Sequence, residues 1–383
     1  MVYRIALVSA YYAPHIGGVE RYTENLANKL ASQGHQVTVI TSSPSYKDWV
    51  LETGVRLIAV PAISIMNDRF PLFKPTIRCL KTFRMLMKMR FDAVIVNTRY
   101  YLISLLGCGI AHRCGFRPIV IDHSSGYLSR TDSLPGLAIR IWEKTMTLLL
   151  KCFNPAYYGV SQGSVNWLKL LHIDAYGIIP NSIDADAYKQ IQSKRNWKEE
   201  LSLSDDTCII TYVGRLIPEK GIMKLIAAMD IVTQRDSRTV LIIAGNGLLQ
   251  KEVEQAASNH IVYVGALNAA DTSALLSESD VFCLPTEYPE GLPTVLLEAA
   301  IQGNAIVTSN CAGAVEVIPD RSYGVIIDNV NPGNLAEEIL HYASNPEERQ
   351  KASCKVANRV YHSFTWETTA KSVIDIIDAT YHE

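Results

Sequence analysis

The chain has 383 residues, of which 48% are hydrophobic and 19% charged, a length and composition that predict two domains and exclude disorder, collagen-like repeats and a small disulfide-stapled fold. The net charge of −2 conceals +10 over residues 1–180 (20 Lys and Arg, 10 Asp and Glu) and −12 over 181–383 (16 and 28). This asymmetry indicates different partners for the two halves and argues against a nucleic-acid-binding protein.

No apolar run reaches the roughly eighteen residues that cross a bilayer. The eight cysteines lack Cys-x-x-Cys and zinc spacing, which favours reduced thiols in a cytoplasmic protein.

The first half alternates apolar strands with helices. The apolar N-terminus lacks a small-residue cleavage site, so it is interpreted as a first strand at 4–10 and not as a signal peptide. A loop at 11–18 and a helix at 19–32 follow, and Gly34 is expected to be the left-handed residue beyond that helix. Further strands are predicted at 36–41, 55–60, 93–97, 118–122 and 156–160. Short β-branched runs separated by helices predict parallel strands and right-handed crossovers.

The second half repeats this plan. Strands are predicted at 208–213, 239–244, 261–264, 281–284, 305–307 and 324–327. Helices are predicted near 220–234, 247–257, 271–278, 293–302 and 332–343. The link is the Pro/Asn-rich segment 179–184. We therefore predict two doubly wound α/β domains, 1–180 and 181–364, facing each other across a cleft, with ligands bound at the carboxyl ends of the strands.

Three glycine-containing loops follow predicted strands. Gly17-Gly18 would let backbone N–H groups approach an anion at a helix N-terminus, although an ordinary tight turn is the commoner use of such a pair. Arg215 and Lys220, in the loop 214–221, suit a diphosphate because arginine offers a two-pronged donor and lysine a point charge. Gly245, in the sequence Gly-Asn-Gly, is a third but weak signal.

The segment 287–298 is the most informative. Pro293 suits the first helical position, which leaves the N–H groups of Gly291, Leu292 and Thr294 for an anion. Glu290 precedes the helix and Glu298 lies about two turns inside it, roughly 12 Å away. That separation is too long for a hydrolytic carboxylate pair and suits two carboxylates that hold opposite ends of a long ligand.

Together these motifs resemble glycosyltransferase family 4, the retaining, nucleotide-sugar-dependent enzymes of the GT-B fold. The resemblance covers nearly the whole chain. The combination of the glutamate pair with Arg215 and Lys220 carries its specificity, whereas the glycine turns do not.

The resemblance implies a role for each matching residue. Arg215 and Lys220 would bind the donor diphosphate and stabilise the leaving group, Glu290 would hold the transferred sugar, and Glu298 the ribose. His123 would lie near the sugar on the acceptor side. The remaining donor-binding positions are backbone contacts of the phosphate cradle and of the base, at Gly17, Gly18, Gly245, Gly265, Ala266, Gly291, Leu292, Pro293 and Thr294. The resemblance also implies that a final helix, 365–383, returns to the first domain.

The family mechanism implies no cofactor, no metal and no enzyme nucleophile. Catalysis would consist of positioning and of electrostatic stabilisation of the departing phosphate, with a UDP-sugar as the favoured donor. Asp184-Ala185-Asp186 resembles a metal-binding Asp-x-Asp but is interpreted as structural. We expect activity to survive EDTA.

The segment 69–91 contains seven cations and no acid. At about 100° per residue, five of them form a stripe of roughly 120° on a helix, namely Lys74, Arg78, Lys81, Arg84 and Lys88. A solvated face of a core-packed helix explains the stripe equally well. The basic first half and the family habit of using lipid-diphosphate acceptors favour an anionic membrane surface. A peripheral enzyme at the inner face of the membrane, extending a lipid-linked glycan in polysaccharide or glycolipid assembly, is therefore expected.

Two alternatives stay open at this point. One is a nucleotide-sugar epimerase of the same fold, which would act on the donor without an acceptor. The other is a non-catalytic nucleotide-sugar-binding protein, which would be free to lose Arg215, Lys220, Glu290 and Glu298.

Overall fold

A computed structural model of the chain describes residues 1–15, 17–65, 70–129, 133–287, 291–311 and 313–382. The chain divides into two compact units. The first comprises Met1–Asn181 and Trp366–Glu383, and the second comprises Ser182–Thr365. The predicted boundaries, 180/181 and 364/365, differ from these by one residue.

The first unit is built on one twisted sheet, which is parallel except at two strands. Its order is β3-β4-β2-β1-β6-β7-β8-β9, with β5 paired to β4. The strands, within the described ranges, are β1 Arg4–Val8, β2 Gln36–Ser43, β3 Lys47–Val50, β4 Arg56–Ile65, β5 Phe70–Phe73, β6 Ala93–Asn97, β7 Ile119–Asp122, β8 Ala156–Gly159 and β9 Gly177–Ile178. β1 lies between β2 and β6 in parallel register.

Helices cover both faces of this sheet. They are α1 Gly18–Ser32, α2 Ile77–Leu86, α3 Leu102–Cys114, α4 Leu134–Lys151, α5 Gln162–Leu170 and, at the C-terminus, α15 Trp366–His382. Alternate residues of β1 point to opposite faces, as a strand requires. Ile5 and Leu7 pack in one core with α1 and α15, whereas Ala6 and Val8 pack in another with α2, α3, α4 and α5.

The second unit is a six-stranded, fully parallel sheet of order β12-β11-β10-β13-β14-β15. Its strands are β10 Cys208–Val213, β11 Thr239–Ala244, β12 Ile261–Tyr263, β13 Val281–Leu284, β14 Ala305–Ser309 and β15 Val325–Ile327. Its helices are α6 Ala185–Gln190, α7 Trp197–Glu200, α8 Ile222–Arg235, α9 Gln250–Gln255, α10 Ala269–Ser277, α11 Thr294–Ile301, α12 Ala314–Val317, α13 Pro332–Ser344 and α14 Pro346–Ser363.

The predicted strands all form, and the doubly wound α/β class is confirmed. The predicted strands of the first sheet pair parallel with one another, and two short strands that were not predicted, β3 and β5, pair antiparallel with β4. Helix α14 was also not predicted. Its residues are mostly polar and only Ala352, Ser353, Val356 and Val360 are buried, which leaves a weak apolar period.

The terminal helix α15 packs on α1 within the first unit. Trp366 is buried there, with its ring centroid 5.4 Å from that of Tyr22. Lys29 on α1 pairs with Glu367 on α15, and the Tyr3 hydroxyl donates to Asp378. Across the described residues, every helix is too short or too polar to span a bilayer.

Candidate functional site

In the second unit the loop after β10 carries the predicted diphosphate-binding pair. Arg215 is exposed, whereas Lys220 is 8% exposed and lies in a single 3-10 turn, Pro218–Lys220. A buried ammonium group is stable only beside a polar or charged partner. Lys220 therefore holds a compact positive charge at a defined place in this loop.

Glycines bring this loop into close contact with its neighbours. A Cβ on Gly245, at φ 146°, would lie 1.8 Å from the carbonyl oxygen of Gly214. A Cβ on Gly221, at φ 72°, would lie 2.1 Å from the carbonyl oxygen of Pro285. Both positions therefore require glycine, since a side chain would collide with backbone in a conformation that L-residues rarely adopt.

Backbone hydrogen bonds join the same loops. The N–H of Leu216 donates to Asn246 (2.7 Å), and the N–H of Gly245 donates to Gly265 (2.8 Å). The N–H of Glu287 donates to Glu219 (2.7 Å). The loops after β10, β11, β12 and β13 thus form one connected surface at the carboxyl edge of the sheet, where doubly wound folds bind ligands. Ala266, next to Gly265, is exposed on it.

The carboxylate-bearing helix, α11, begins at Thr294 with Pro293 as its N-cap. The helix therefore begins one residue later than predicted, and Pro293 lies just before it. The reason is that the ψ of Pro293, 116°, is extended and not helical. Leu292 is buried, and a Cβ on Gly313 would lie 2.4 Å from the carbonyl oxygen of Gly291. The loop after β14 thus supports the start of α11. Glu290 lies outside the described residues, so its role stays a prediction.

Glu298 is half-buried on α11 and accepts a hydrogen bond from the hydroxyl of Tyr188 (3.2 Å). The Tyr188 carbonyl in turn accepts from Ser273 (2.9 Å), and Gln302 donates to the same Ser273 (2.6 Å). A carboxylate held by a side chain on a separate helix is oriented, and burial without such a partner would be costly. No sequence motif indicates Tyr188, because the contact joins residues 110 positions apart.

In the first unit Gly17 is the N-cap of α1, in extended conformation, and Gly18 is its first residue. The Glu20 carboxylate folds back over this N-terminus and pairs with His15, with 3.2 Å between Oε1 and Nδ1. A Cβ on Gly17 would lie 2.1 Å from Glu20 Oε2. The positive end of the helix dipole favours a negative group here, and the protein's own carboxylate already lies beside it.

His123 directly follows β7 and takes part in a hydrogen-bond chain. Its Nε2 lies 3.1 Å from Asn97 Oδ1, Asn97 Nδ2 donates to Thr23 Oγ1 (2.9 Å), and Thr23 donates to the carbonyl of Val19 (2.8 Å). Because each donor and acceptor role is fixed by the next, we assign the proton of neutral His123 to Nε2. Nδ1 is then the ring's acceptor.

Burial holds His123 neutral. Desolvation lowers the pKa of His123 to about 4, and the opposing attraction of Asp122 is the smaller effect. The ring of Tyr22 meets the imidazole edge-to-face, with centroids 4.6 Å apart. The imidazole therefore acts at neutral pH as a positioned hydrogen-bonding group and not as a cation.

A buried charge network beneath His123 was missed by sequence reasoning. Arg99, with no exposed surface, pairs with the buried carboxylates of Asp122 and Glu143 and donates to Ser124 (2.9 Å). Burial raises the pKa of Glu143. Thr98, before the arginine, has φ 71°, which is strained for a β-branched residue. Polar residues directly after the strand 93–97 were the available signal.

The basic segment forms a shorter helix than predicted. Arg78, Lys81 and Arg84 are exposed on α2, but Lys74 precedes the helix and Lys88 follows it. Lys74 donates to the carbonyl of Pro44, and the helix ends at Leu86 with Met87 as its C-cap. The five-cation helical stripe is therefore corrected to three cations on the helix and two beside it.

The structure groups the predicted residues in two sets. The first unit holds Gly17, Gly18 and His123, and the second holds Arg215, Lys220, Gly245, Gly265, Ala266, Gly291, Leu292, Pro293, Thr294 and Glu298. In the parts of the chain that are described, no three His, Cys, Asp or Glu side chains are grouped as metal ligands would be. Asp184 instead caps α6, accepting from the N–H of Ala187 (2.9 Å).

Comparison with known proteins agrees with this geometry. Residues 16–187 match the family described as Glycosyltransferase Family 4, and residues 193–359 match Glycosyl transferases group 1. The GPI3 subunit of phosphatidylinositol N-acetylglucosaminyltransferase from Saccharomyces cerevisiae is 25% identical, over 98% of this chain and 83% of its own. A GDP-mannose-dependent phosphatidylinositol monomannoside mannosyltransferase of Mycolicibacterium smegmatis is 23% identical, over 94% of both chains.

The fold has a similarly broad match. A crystal structure of Anabaena HepE in complex with UDP superposes with a TM-score of 0.75 at 16% identity, over 98% of this chain and 100% of that one. The two parallel-sheet units are those of the GT-B fold, and the two family matches together span most of both units. The chain therefore belongs to glycosyltransferase family 4 and is a glycosyltransferase.

Proposed function

We propose that the protein is a retaining glycosyltransferase that moves a hexose from a nucleotide-diphosphate sugar to a hydroxyl of a lipid-linked glycan acceptor. The observation that carries the proposal is the connected surface at the carboxyl edge of the second sheet. There Lys220 is buried and Arg215 exposed on one loop that is joined to the loops after β11 and β13. A cationic loop at this edge matches a doubly charged diphosphate.

The donor is bound end to end along this surface. Arg215 and Lys220 hold the diphosphate, Glu298 accepts from the ribose hydroxyls, and the base lies beside Gly265 and Ala266. The hydrogen bond from Tyr188 holds the Glu298 carboxylate in position. UDP is the favoured nucleotide because HepE, which shares the fold, was crystallised with UDP. The GDP-mannose-dependent relative makes GDP the rival.

Catalysis consists of positioning and charge stabilisation. The sugar–phosphate bond breaks, the sugar passes through an oxocarbenium-like state, and the acceptor oxygen attacks from the face that the phosphate leaves. The proton of the acceptor hydroxyl passes to the departing phosphate. Arg215 and Lys220 stabilise the negative charge that develops on the departing diphosphate. His123 is neutral and held by Asn97, and its Nδ1 is the acceptor nitrogen for a sugar hydroxyl. Glu290 holds the sugar's other hydroxyls, and neither a metal nor an enzyme nucleophile takes part.

The acceptor is attached to lipid, and the protein works peripherally at the inner face of the membrane. Two observations support this. The relatives named above act, by their names, on phosphatidylinositol or its monomannoside. Arg78, Lys81 and Arg84 project from α2 with no acid on that helix, and each exposed cation contributes about 1 kcal/mol at an anionic surface.

Donor binding is tested by a thermal-shift screen of UDP-, GDP- and ADP-sugars. The true donor stabilises the folded protein by mass action, about 2.7 kcal/mol at one hundred times its Kd. Lys220→Met and Arg215→Met should abolish the shift and lower turnover by about a hundredfold or more, as loss of a charge-stabilising donor does. Lys251→Met, an exposed lysine on α9, is the matched control and should behave as the wild type.

Two further measurements separate the alternatives. Donor incubated without acceptor should give no isomeric nucleotide sugar, whereas an epimerase would produce one. Turnover should persist in EDTA. Undiminished turnover of the Arg215 and Lys220 variants, or no shift with any nucleotide sugar, would contradict the proposal.

A further inference from the structure

Helix α4 exposes an apolar stripe along its whole length. The exposed fractions are 84% for Leu134, 50% for Leu137, 57% for Ile141, 66% for Leu148 and 43% for Leu149. At about 100° per residue these five side chains fall within roughly 120°, and the stripe from Leu134 to Leu149 is about 23 Å long. Scattered exposed leucines are ordinary, but five large apolar side chains on one face of a helix, with Thr145 among them, mark an interaction surface.

The stripe is not the face of α4 that packs in the hydrophobic core. The opposite face of α4 already packs inward, with Glu143, Met146, Thr147 and Leu150 buried. α4 also contacts α3, its neighbour in the same helical layer. Among the residues described, the outer surface of the apolar stripe is therefore left uncovered by the packing of the first unit.

The whole layer that carries the stripe is basic. Helices α2, α3, α4 and α5 lie on one face of the first sheet and contain one acid, Glu143, which is buried. Against it they carry eight Lys and Arg side chains: Arg78, Lys81, Arg84, Arg113, Arg140, Lys144, Lys151 and Lys169. Lys144, Lys151 and Arg140 follow one flank of the stripe, about 80–120° from Leu134. The other face of the sheet differs, since α1 and α15 carry most of the unit's helical acids.

We propose that the α4 stripe inserts into the interfacial zone of an anionic bilayer while the surrounding cations contact the headgroups. An apolar face bordered by Lys and Arg is the pattern of helices that lie in a membrane interface, buried about 5–10 Å. This proposal rests on the proposed function, in which the acceptor is linked to a membrane lipid. It adds that α4 is the helix that holds the protein at the membrane beside that acceptor. α4 follows the β7–His123 loop, so the N-terminal end of the stripe lies at the sheet edge that carries His123.

A second copy of the chain is the other candidate occupant, and charge argues against it. A two-fold contact through the stripe would place the same basic layer of one copy against that of the other. Like charges brought together across an interface are unfavourable, whereas anionic headgroups neutralise them. The bilayer is therefore the occupant that fits the charge as well as the apolar surface.

Vesicle flotation tests the proposal at two ionic strengths. Wild-type protein should float with phosphatidylglycerol-containing vesicles in low salt and remain bound in high salt, because apolar insertion is not screened. Leu137→Ser/Ile141→Ser should lower binding in high salt by at least about tenfold, given the apolar area removed. The matched control is Val50→Ser/Ile191→Ser, whose side chains are 65% and 45% exposed elsewhere and which should bind as the wild type.

A fluorescent probe reports insertion directly. Cys152 caps α4 in line with the stripe, and Cys354 lies on α14 of the second unit; both are exposed. An environment-sensitive dye on Cys152, in Cys354→Ser protein, should shift to the blue and brighten with anionic vesicles. The same dye on Cys354, in Cys152→Ser protein, should not change.

Three outcomes would overturn the proposal. The first is that the Leu137→Ser/Ile141→Ser variant binds vesicles as tightly as the wild type in high salt. The second is that the fluorescence of the dye on Cys152 does not respond to vesicles. The third is that light scattering shows a wild-type dimer, which the same variant converts to a monomer without a change in flotation. The last result assigns the stripe to a second copy. Retained donor-induced thermal shifts in the α4 variant separate failure of this proposal from failure of the proposed glycosyl transfer.

Discussion

At the scale of single residues, His123 shows how a short hydrogen-bond chain sets chemistry. Asn97 and Thr23 fix which ring nitrogen carries the proton, and burial against Tyr22 keeps the ring uncharged. A neutral imidazole with a defined acceptor nitrogen is suited to accept a hydrogen bond from a sugar hydroxyl, the role proposed for His123.

This predicts a specific pH dependence of stability. The pKa of His123 is about 4 in the folded protein against an ordinary value of about 6.5, so between these values the unfolded chain binds more protons. Stability contributed by the neutral ring is present above pH 6.5 and is lost as the pH falls towards 4, by about 3 kcal/mol. Denaturant unfolding of wild type and His123→Gln across this range should show the difference.

The difference in unfolding free energy between the wild type and His123→Gln isolates the contribution of His123, because the carboxylates, Glu143 included, are present in both proteins. Parallel stability curves for the two proteins would contradict the prediction. So would an imidazole NMR titration with a midpoint near 6.5 in the folded state.

At the scale of elements, backbone contacts between neighbouring loops hold the loops of the second unit together. Gly221 allows the β10 loop to meet the β13 loop, and Gly245 allows the β11 loop to meet the β10 loop. The resulting surface holds the proposed diphosphate-binding pair with little freedom, which is the kind of preorganisation that charge stabilisation requires.

Gly221→Ala and Gly303→Ala separate the two costs of losing a glycine. Both residues have positive φ, 72° and 88°, so both variants incur about 1 kcal/mol of left-handed strain. Only at Gly221 does the added Cβ meet backbone, 2.1 Å from the Pro285 oxygen, whereas nothing lies within 4 Å at Gly303. Gly221→Ala should therefore lose a further 1–3 kcal/mol, measured by thermal unfolding, together with donor affinity. Equal losses in the two variants would refute the contact.

At the scale of the whole molecule, the return of α15 completes the first unit. The unit includes 21 Lys and Arg against 14 Asp and Glu, and the second unit 15 against 24, so the terminal helix moderates the basic charge of the first half. Its Trp366 packs on Tyr22, which in turn packs on His123. The terminal helix thus supports a site residue more than two hundred positions away in sequence.

Trp366→Ala should destabilise the first unit by about 3–5 kcal/mol, because it leaves a cavity beneath α1. Hydrogen exchange should accelerate in α1 and around His123, with the strands of the second unit unchanged. Trp49→Ala, at an edge-strand tryptophan that is 37% exposed, is the control and should have a much smaller effect. Uniform acceleration in both units would show that α15 is not specific to the first.

The sequence by itself determined much of this protein. The strands 93–97, 208–213, 239–244 and 281–284 were predicted to the residue, because short buried parallel strands are continuous apolar runs bounded by turns. Arg215, Lys220 and Glu298 could also be proposed as site residues from sequence, since each lies in a local motif beside a glycine loop or within an apolar run.

Only the tertiary structure decided what depends on distant partners. Tyr188 on Glu298, the Arg99 pairs with Asp122 and Glu143, and the antiparallel strands β3 and β5 join segments whose pairing no local period encodes. The exposure of the apolar stripe of α4 could likewise not be predicted, because the sequence pattern of an apolar helix face is the same whether the face is buried in the core or exposed to solvent. Periodicity specifies that a face is apolar, and packing alone specifies what covers it.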